Sequence, residues 1–209
     1  KRIYVASQFE NNVSVIDGGI HAVIATVPVG DYPGGVAVNP TTNRVYVANG
    51  GSDNVSFIDG ESNAVIATVP VGISPYGVAV NPTTNRVYVA NYLGDSITLI
   101  DGATNDVISN IGGDRLSGAA FNAANNRIYI ANFNDYSLSV LDATTNQEII
   151  TLREGFNQPL GVGVDEAANQ ILVSNNGNDT ITILDGTNNT IVETVDLAAV
   201  SGVLGVRVQ

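Results

Sequence analysis

Arg44-Val45-Tyr46-Val47-Ala48-Asn49 decides how this chain folds, because the same pattern returns along the whole sequence. It stands upstream as Arg2-Ile3-Tyr4-Val5-Ala6. Downstream it becomes Arg86-Val87-Tyr88-Val89-Ala90, then Arg127-Ile128-Tyr129-Ile130-Ala131 and, more loosely, Gln170-Ile171-Leu172-Val173-Ser174. β-Branched and aromatic residues dominate each copy, as expected of a strand on a packed, pleated surface. The spacing is about 42 residues, and a fixed period of that size fixes the architecture before local propensity is weighed.

Working outward, three further segments keep the same beat. Gly35-Val36-Ala37-Val38-Asn39-Pro40 recurs from Gly77, Gly118, Gly161 and Gly205. Val13-Ser14-Val15-Ile16-Asp17 is echoed at Val55, Ile97, Leu138 and Ile181, and Val23-Ile24-Ala25-Thr26-Val27 at Val65, Val107, Glu148 and Ile191. Each repeat therefore reads as four short strands, here a, b, c and d in the order GVAV, RVYVAN, VSVID, VIATV. Asn, Asp, Gly and Pro cluster between them, as in Asn39-Pro40-Thr41-Thr42-Asn43 and Asp59-Gly60, which is turn chemistry.

Four antiparallel strands at this period predict an all-β, five-bladed β-propeller, one domain over residues 1–209 with blades starting near Gly35, Gly77, Gly118 and Gly161. Pro28 and Pro70 place strand d outermost, because proline gives the ladder no N–H. The Gly, Ala and Val of strand a suit a crowded axis. The chain starts in strand b and ends in Gly205-Val206-Arg207-Val208, a strand a. Closure is thus expected by pairing of residues 205–209 with the N-terminal strand b, which hides the last edges.

At this point RVYVAN, VSVIDG, VIATVPVG and GVAVNP resemble the YVTN-type β-propeller repeats of bacterial and archaeal surface-layer and secreted proteins, over essentially the whole chain. Ala48, Ala90 and Ala131 stand where the family name has Thr, a change of packing. The resemblance implies an extracellular or cell-surface location. Similar propellers in some respiratory enzymes serve haem or copper chemistry with several His ligands, whereas this chain has 1 His, so no cofactor is expected.

Composition narrows the partners. With 20 Asp and Glu against 8 Lys and Arg, the net charge of -12 repels polyphosphate, and no basic run offsets it, so nucleic acid is excluded as a partner. No apolar stretch approaches the roughly 20 residues that span a bilayer. Lys1-Arg2-Ile3-Tyr4-Val5 reads as a strand and not a signal peptide. There is no Cys, hence neither disulfide nor thiolate chemistry, and no Met, the pattern of a processed chain or of a segment with flanking domains.

No catalytic constellation emerges. His21 lies in a c-to-d turn without a nominated nucleophile or carboxylate partner, and reads as a turn residue. Asp17, Asp59, Asp101, Asp142 and Asp185 repeat at the end of strand c, four of them before Gly; they read as hairpin-turn residues, a cation-binding ring being the less favoured alternative. Arg44, Arg86 and Arg127 repeat and read as structural. Arg207 replaces the small residues Ala37, Ala79, Ala120 and Gly163, and needs a partner if buried. Asn12, Asn54, Asn178 and Asn188 begin N-x-S/T sequons, which this Asn-rich composition also produces by chance.

Ligand information lies where repeats disagree. The a-to-b and c-to-d links are nearly invariant. The b-to-c links (7–12, 49–54, 91–96, 132–137, 175–180) and the d-to-a links (31–34, 73–76, 114–117, 154–160) vary, and both sets fall at one end of the blades. Tyr4, Tyr46, Tyr88, Tyr129, Phe57 and Phe121 lie in strands; the other aromatics, Phe9, Tyr32, Tyr76, Tyr92, Phe133, Tyr136 and Phe156, all fall in or beside the variable links. Two readings stay open: the rings cap the inter-blade core, or they form a ligand face with Arg115 and Arg153 beside it. The expected function is a non-catalytic recognition module for a glycan or protein. Its alternatives are a structural surface-layer or filament unit and, third, a metal-dependent propeller lyase or lactonase.

Overall fold

A computed structural model of the protein describes residues 1–197, and these are all-β. Nineteen strands form five antiparallel sheets, the number and wiring of a five-bladed propeller. The first sheet holds β1 (Arg2–Ser7), β2 (Asn12–Asp17) and β3 (Ala22–Pro28). The second holds β4 (Pro33–Asn39), β5 (Arg44–Asn49), β6 (Asn54–Asp59) and β7 (Ala64–Pro70), and the third β8 (Pro75–Asn81), β9 (Arg86–Asn91), β10 (Ser96–Asp101) and β11 (Val107–Gly112). The fourth is β12 (Leu116–Asn122), β13 (Arg127–Asn132), β14 (Ser137–Asp142) and β15 (Glu148–Leu152), and the fifth β16 (Pro159–Asp165), β17 (Gln170–Asn175), β18 (Thr180–Asp185) and β19 (Ile191–Asp196). In every sheet spatial order follows chain order, so strand d is terminal, as Pro28 and Pro70 require. The closing strand expected at residues 205–209, and Arg207 within it, lie outside the described residues.

The chain divides into two compact units, Lys1–Gly112 with the first three sheets and Gly113–Gln209 with the fourth and fifth. Within the first unit the period of two along β5 serves two cores at once. Val45 and Val47 pack with Tyr4, Val13, Val15, Val27 and Ile58. Tyr46 and Ala48 face the other way, among Val55, Phe57, Val78, Val87 and Val89. That is why RVYVAN carries no polar alternation: both faces are covered. Tyr46 meets Phe57 edge to face at 4.8 Å. In the second unit Tyr129, Leu138, Val140, Ile171, Val173 and Leu184 repeat the arrangement.

Strand a is crowded as expected. A Cβ on Gly118 would meet the Leu160 carbonyl oxygen at 2.5 Å, and one on Gly35 would strike the Tyr76 carbonyl oxygen. Glycine here lets β12 approach β16, and β4 approach β8, backbone to backbone.

The outer strands share a feature the sequence pattern hides. In each c–d pair the register shifts by one, so that Ile24, Ile66, Ile108, Ile149 and Val192 stand as the extra residue of a β-bulge. All five are exposed. A bulge twists a terminal strand and interrupts its ladder, which blunts the strand against further pairing.

Candidate functional site

The two ends of the blades differ in chemistry, and the turn end is built alike in every repeat. Asp17 Oδ1 accepts from the Gly19 and Ile20 N–H groups at 2.7 and 3.2 Å. Asp59, Asp101, Asp142 and Asp185 do the same two and three residues on, or two on for Asp185. These backbone donors hold the carboxyls below the usual aspartate range. The repeating carboxylates are Asx-turn residues, each occupied with its own loop. Among the described residues no three His, Cys, Asp or Glu side chains are grouped to hold a metal ion.

His21 takes part in the same device. It adopts φ 54°, where Asn63, Asn105, Asn146 and Asn189 stand at φ 55–67° in the other repeats. Its N–H reaches the Asp17 carbonyl at 2.8 Å, as that of Asn63 reaches Asp59 at 2.9 Å. The repeated arginines fasten neighbouring sheets. Arg2 donates to Asn63 Oδ1 at 3.3 Å, Arg44 to the Gly102 carbonyl, and Arg127 to the Gly186 carbonyl and Asn189 Oδ1 at 3.3 and 3.2 Å. Each arginine opens strand b of one blade and closes on the c-to-d turn of the next.

At the loop end of the first unit the aromatics gather in two pairs. Phe9 and Tyr32 meet nearly edge to face at 6.2 Å, and Tyr76 and Tyr92 are tilted at 6.4 Å. Phe9 is 83% exposed and Tyr32 53%. Tyr76, the second residue of β8 instead of a link residue, is half-buried together with Tyr92, and burial pushes its hydroxyl above the ordinary tyrosine value.

Backbone and short polar side chains hold these rings in place. Asn11 Oδ1 accepts the Tyr32 N–H at 3.0 Å while its amide donates to Asp31 Oδ1 at 2.9 Å. Ser52 Oγ accepts the Asp31 N–H, and Asp53 Oδ1 the Ser74 N–H, at 2.8 and 2.7 Å. Gly50 and Tyr92 N–H groups reach the Tyr32 and Ser74 carbonyls at 3.0 and 2.9 Å. Tyr32 itself is left-handed, at φ 51°, where equivalent links carry Ser74, Arg115 and Gln158. A bulky side chain there costs about 1–2 kcal/mol, so Tyr32 is not the residue that turn chemistry selects.

In the second unit the aromatic set splits. Phe156 is 8% exposed and packs against the Tyr129, Leu138 and Leu184 core, which is the capping role. Tyr136 is 46% exposed and left-handed at φ 52°, where other repeats place Asn11, Asp53, Asp95 and Asp179. Phe133 is half-buried, and its N–H reaches the Arg115 carbonyl at 3.1 Å. Arg115 is exposed. Arg153 is held by Asp135 at 2.7 Å.

One feature of this unit escaped the sequence reading, a cleft of about 520 Å³ lined by Thr151, Leu152, Arg153, Glu154, Phe156, Leu184 and residues 189–191. Its signal was length. The link preceding β16 runs from 153 to 158, against 29–32 before β4 and 71–74 before β8, and the longer link turns Phe156 inward.

No family model matches the chain, and no curated protein matches it. Among solved structures it is similar to the hydrazine synthase of Kuenenia stuttgartiensis, with TM-score 0.71 and 20% identity over 78% of this chain and 48% of that one. It is also similar to the dihydro-heme d1 dehydrogenase NirN in complex with DHE, with TM-score 0.75 and 19% identity over 94% of this chain and 44% of that one. At such identities the likeness is one of fold, and both contain β-propeller domains. The chain spans about half the length of each.

Proposed function

We propose that the chain is a non-catalytic recognition module of a cell-surface or secreted protein, of the YVTN-repeat kind, that engages a glycan or protein at the loop end of its blades. The observation that carries this reading is the exposed Phe9–Tyr32 pair: large rings left open to solvent, one of them in a backbone conformation its residue type disfavours. The left-handed turn recurs at Ser74, Arg115 and Gln158, so what is particular to this link is the exposed ring. Exposed apolar patches rimmed by polar groups mark interaction surfaces.

The experiment is a binding screen of the purified chain against glycans and extracellular proteins, beside the Phe9→Ala, Tyr32→Asn double variant. Binding that vanishes in a variant no less stable in urea than the parent supports the reading, and binding that persists overturns it. A second reading, a structural unit of a surface layer, is favoured by the exposed aliphatic residue on every outer strand. It calls for concentration-dependent association in sedimentation that Ile24→Thr and Ile66→Thr abolish.

A further inference from the structure

The first unit is electrically polarised along its strands. Its cations, Lys1, Arg2, Arg44 and Arg86, all lie at the turn end, where Arg2, Arg44 and Arg86 pair in register with Asp17, Asp59 and Asp101. At the loop end stand Glu10, Asp31 and Asp53, all exposed, with no Lys, Arg or His in the loops that carry them. A six-residue strand is about 20 Å long. The Debye length at physiological salt is about 8 Å. The cations of the far end therefore do not neutralise Glu10, Asp31 and Asp53.

Carboxylates are the charged groups of this end. Asn11 Oδ1 accepts the Tyr32 N–H while one amide N–H goes to Asp31, and Ser52 Oγ accepts the Asp31 N–H. Asp31 and Asp53 each commit Oδ1 to the loops, and each side chain is exposed. Beside them the Phe9 and Tyr32 faces present the negative side of an aromatic quadrupole, which attracts ammonium and guanidinium groups. A neutral glycan gains nothing from the carboxylate charge, whereas a cationic group does. An anionic polysaccharide is repelled.

We infer, on the reading that the loop end is the recognition face, that the first unit docks a Lys/Arg-bearing segment of another polypeptide. Cationic side chains lie over the Phe9 and Tyr32 rings, and their charges are met by Glu10, Asp31 and Asp53. The carboxylates are spread over the β1–β2, β3–β4 and β5–β6 connections of two successive sheets, so an extended segment with several cations engages them together, whereas one small cation reaches only its nearest pair.

Fluorescence anisotropy of the full chain with a labelled decapeptide alternating Lys and Arg with Gly tests this, beside neutral oligosaccharides of cellulose and chitin. Binding of the peptide should weaken steeply as salt rises. The Glu10→Gln, Asp31→Asn, Asp53→Asn variant keeps every Oδ1 acceptor and should retain its melting temperature while losing about tenfold in affinity. Phe9→Ala should lose several-fold, and Glu61→Gln at the turn end nothing. Equal loss in Glu61→Gln and the loop-end variant would reduce the effect to net charge and overturn the site. If the peptide fails but an oligosaccharide binds in a Phe9-dependent way, the partner class falls while the recognition face stands. If Phe9→Ala and the charge variant change the binding of neither, both fall.

Discussion

The turn end and the loop end of each blade use the same vocabulary of Asp, Asn and Ser, yet one is closed chemistry and the other open. At the turn end, Asp59 spends a carboxylate oxygen on two N–H groups of its own turn, and Arg44 spends its guanidinium on the next blade. At the loop end, Asp31 keeps an oxygen in reserve and Phe9 keeps most of its surface. Repetition and difference separate what holds the blades together from what they can hold.

The comparison breaks most visibly at the aromatics. Phe156→Ala should cost about 3–5 kcal/mol in urea unfolding, because it empties a packed core, whereas Phe9→Ala should stay within about 0.5 kcal/mol. Equal costs would mean that the loop-end rings form one capping set. Next in size, Arg44→Ala should cost about 1–2 kcal/mol by orphaning the Gly102 carbonyl, with Arg44→Lys recovering part of it. A loss no larger than that of an exposed loop substitution would detach the arginines from the scaffold.

Smaller, and opposite in sign, Tyr32→Asn and Tyr136→Asn should each raise stability by about 0.5–1 kcal/mol by placing a tolerant residue in the left-handed conformation. A lowered melting temperature would return these rings to the scaffold. The smallest effect is acid sensitivity. The five turn aspartates have folded-state pKa values below their unfolded values, so their contribution is present above about pH 4 and is lost as pH falls through the folded pKa. Asp59→Asn keeps the acceptor and removes the proton site, so the melting temperature should fall less steeply on acidification than in the parent.

Much of this organisation was legible because repetition averages out local ambiguity. Five copies of a strand pattern fixed the sheets, two prolines fixed the outer edge, and the Asp-Gly signature announced the turns. The loop end was less legible, since nothing local separates Phe9 from Phe156. Both are aromatics in variable links, and only the length of residues 153–158 turns one inward. The cleft beside Phe156 depends on the same length. Charge polarity was present in the sequence as Arg2, Arg44 and Arg86 at one strand position, but it becomes a field only once register places those positions at one end. The bulges at Ile24 and Ile66 were hidden because a run such as Val-Ile-Ala-Thr-Val fits either face of a strand.

Those bulges bear on how such molecules coexist at high local density. Five terminal strands rich in valine and isoleucine are the raw material of cross-β growth, in which each chain templates the next. With one residue out of register on every such strand, and proline on two of them, a second copy finds no uninterrupted row of N–H and C=O groups to copy. The aliphatic side chains still protrude, so neighbours can touch and part. Crowded molecules of this kind would meet as surfaces and not as seeds.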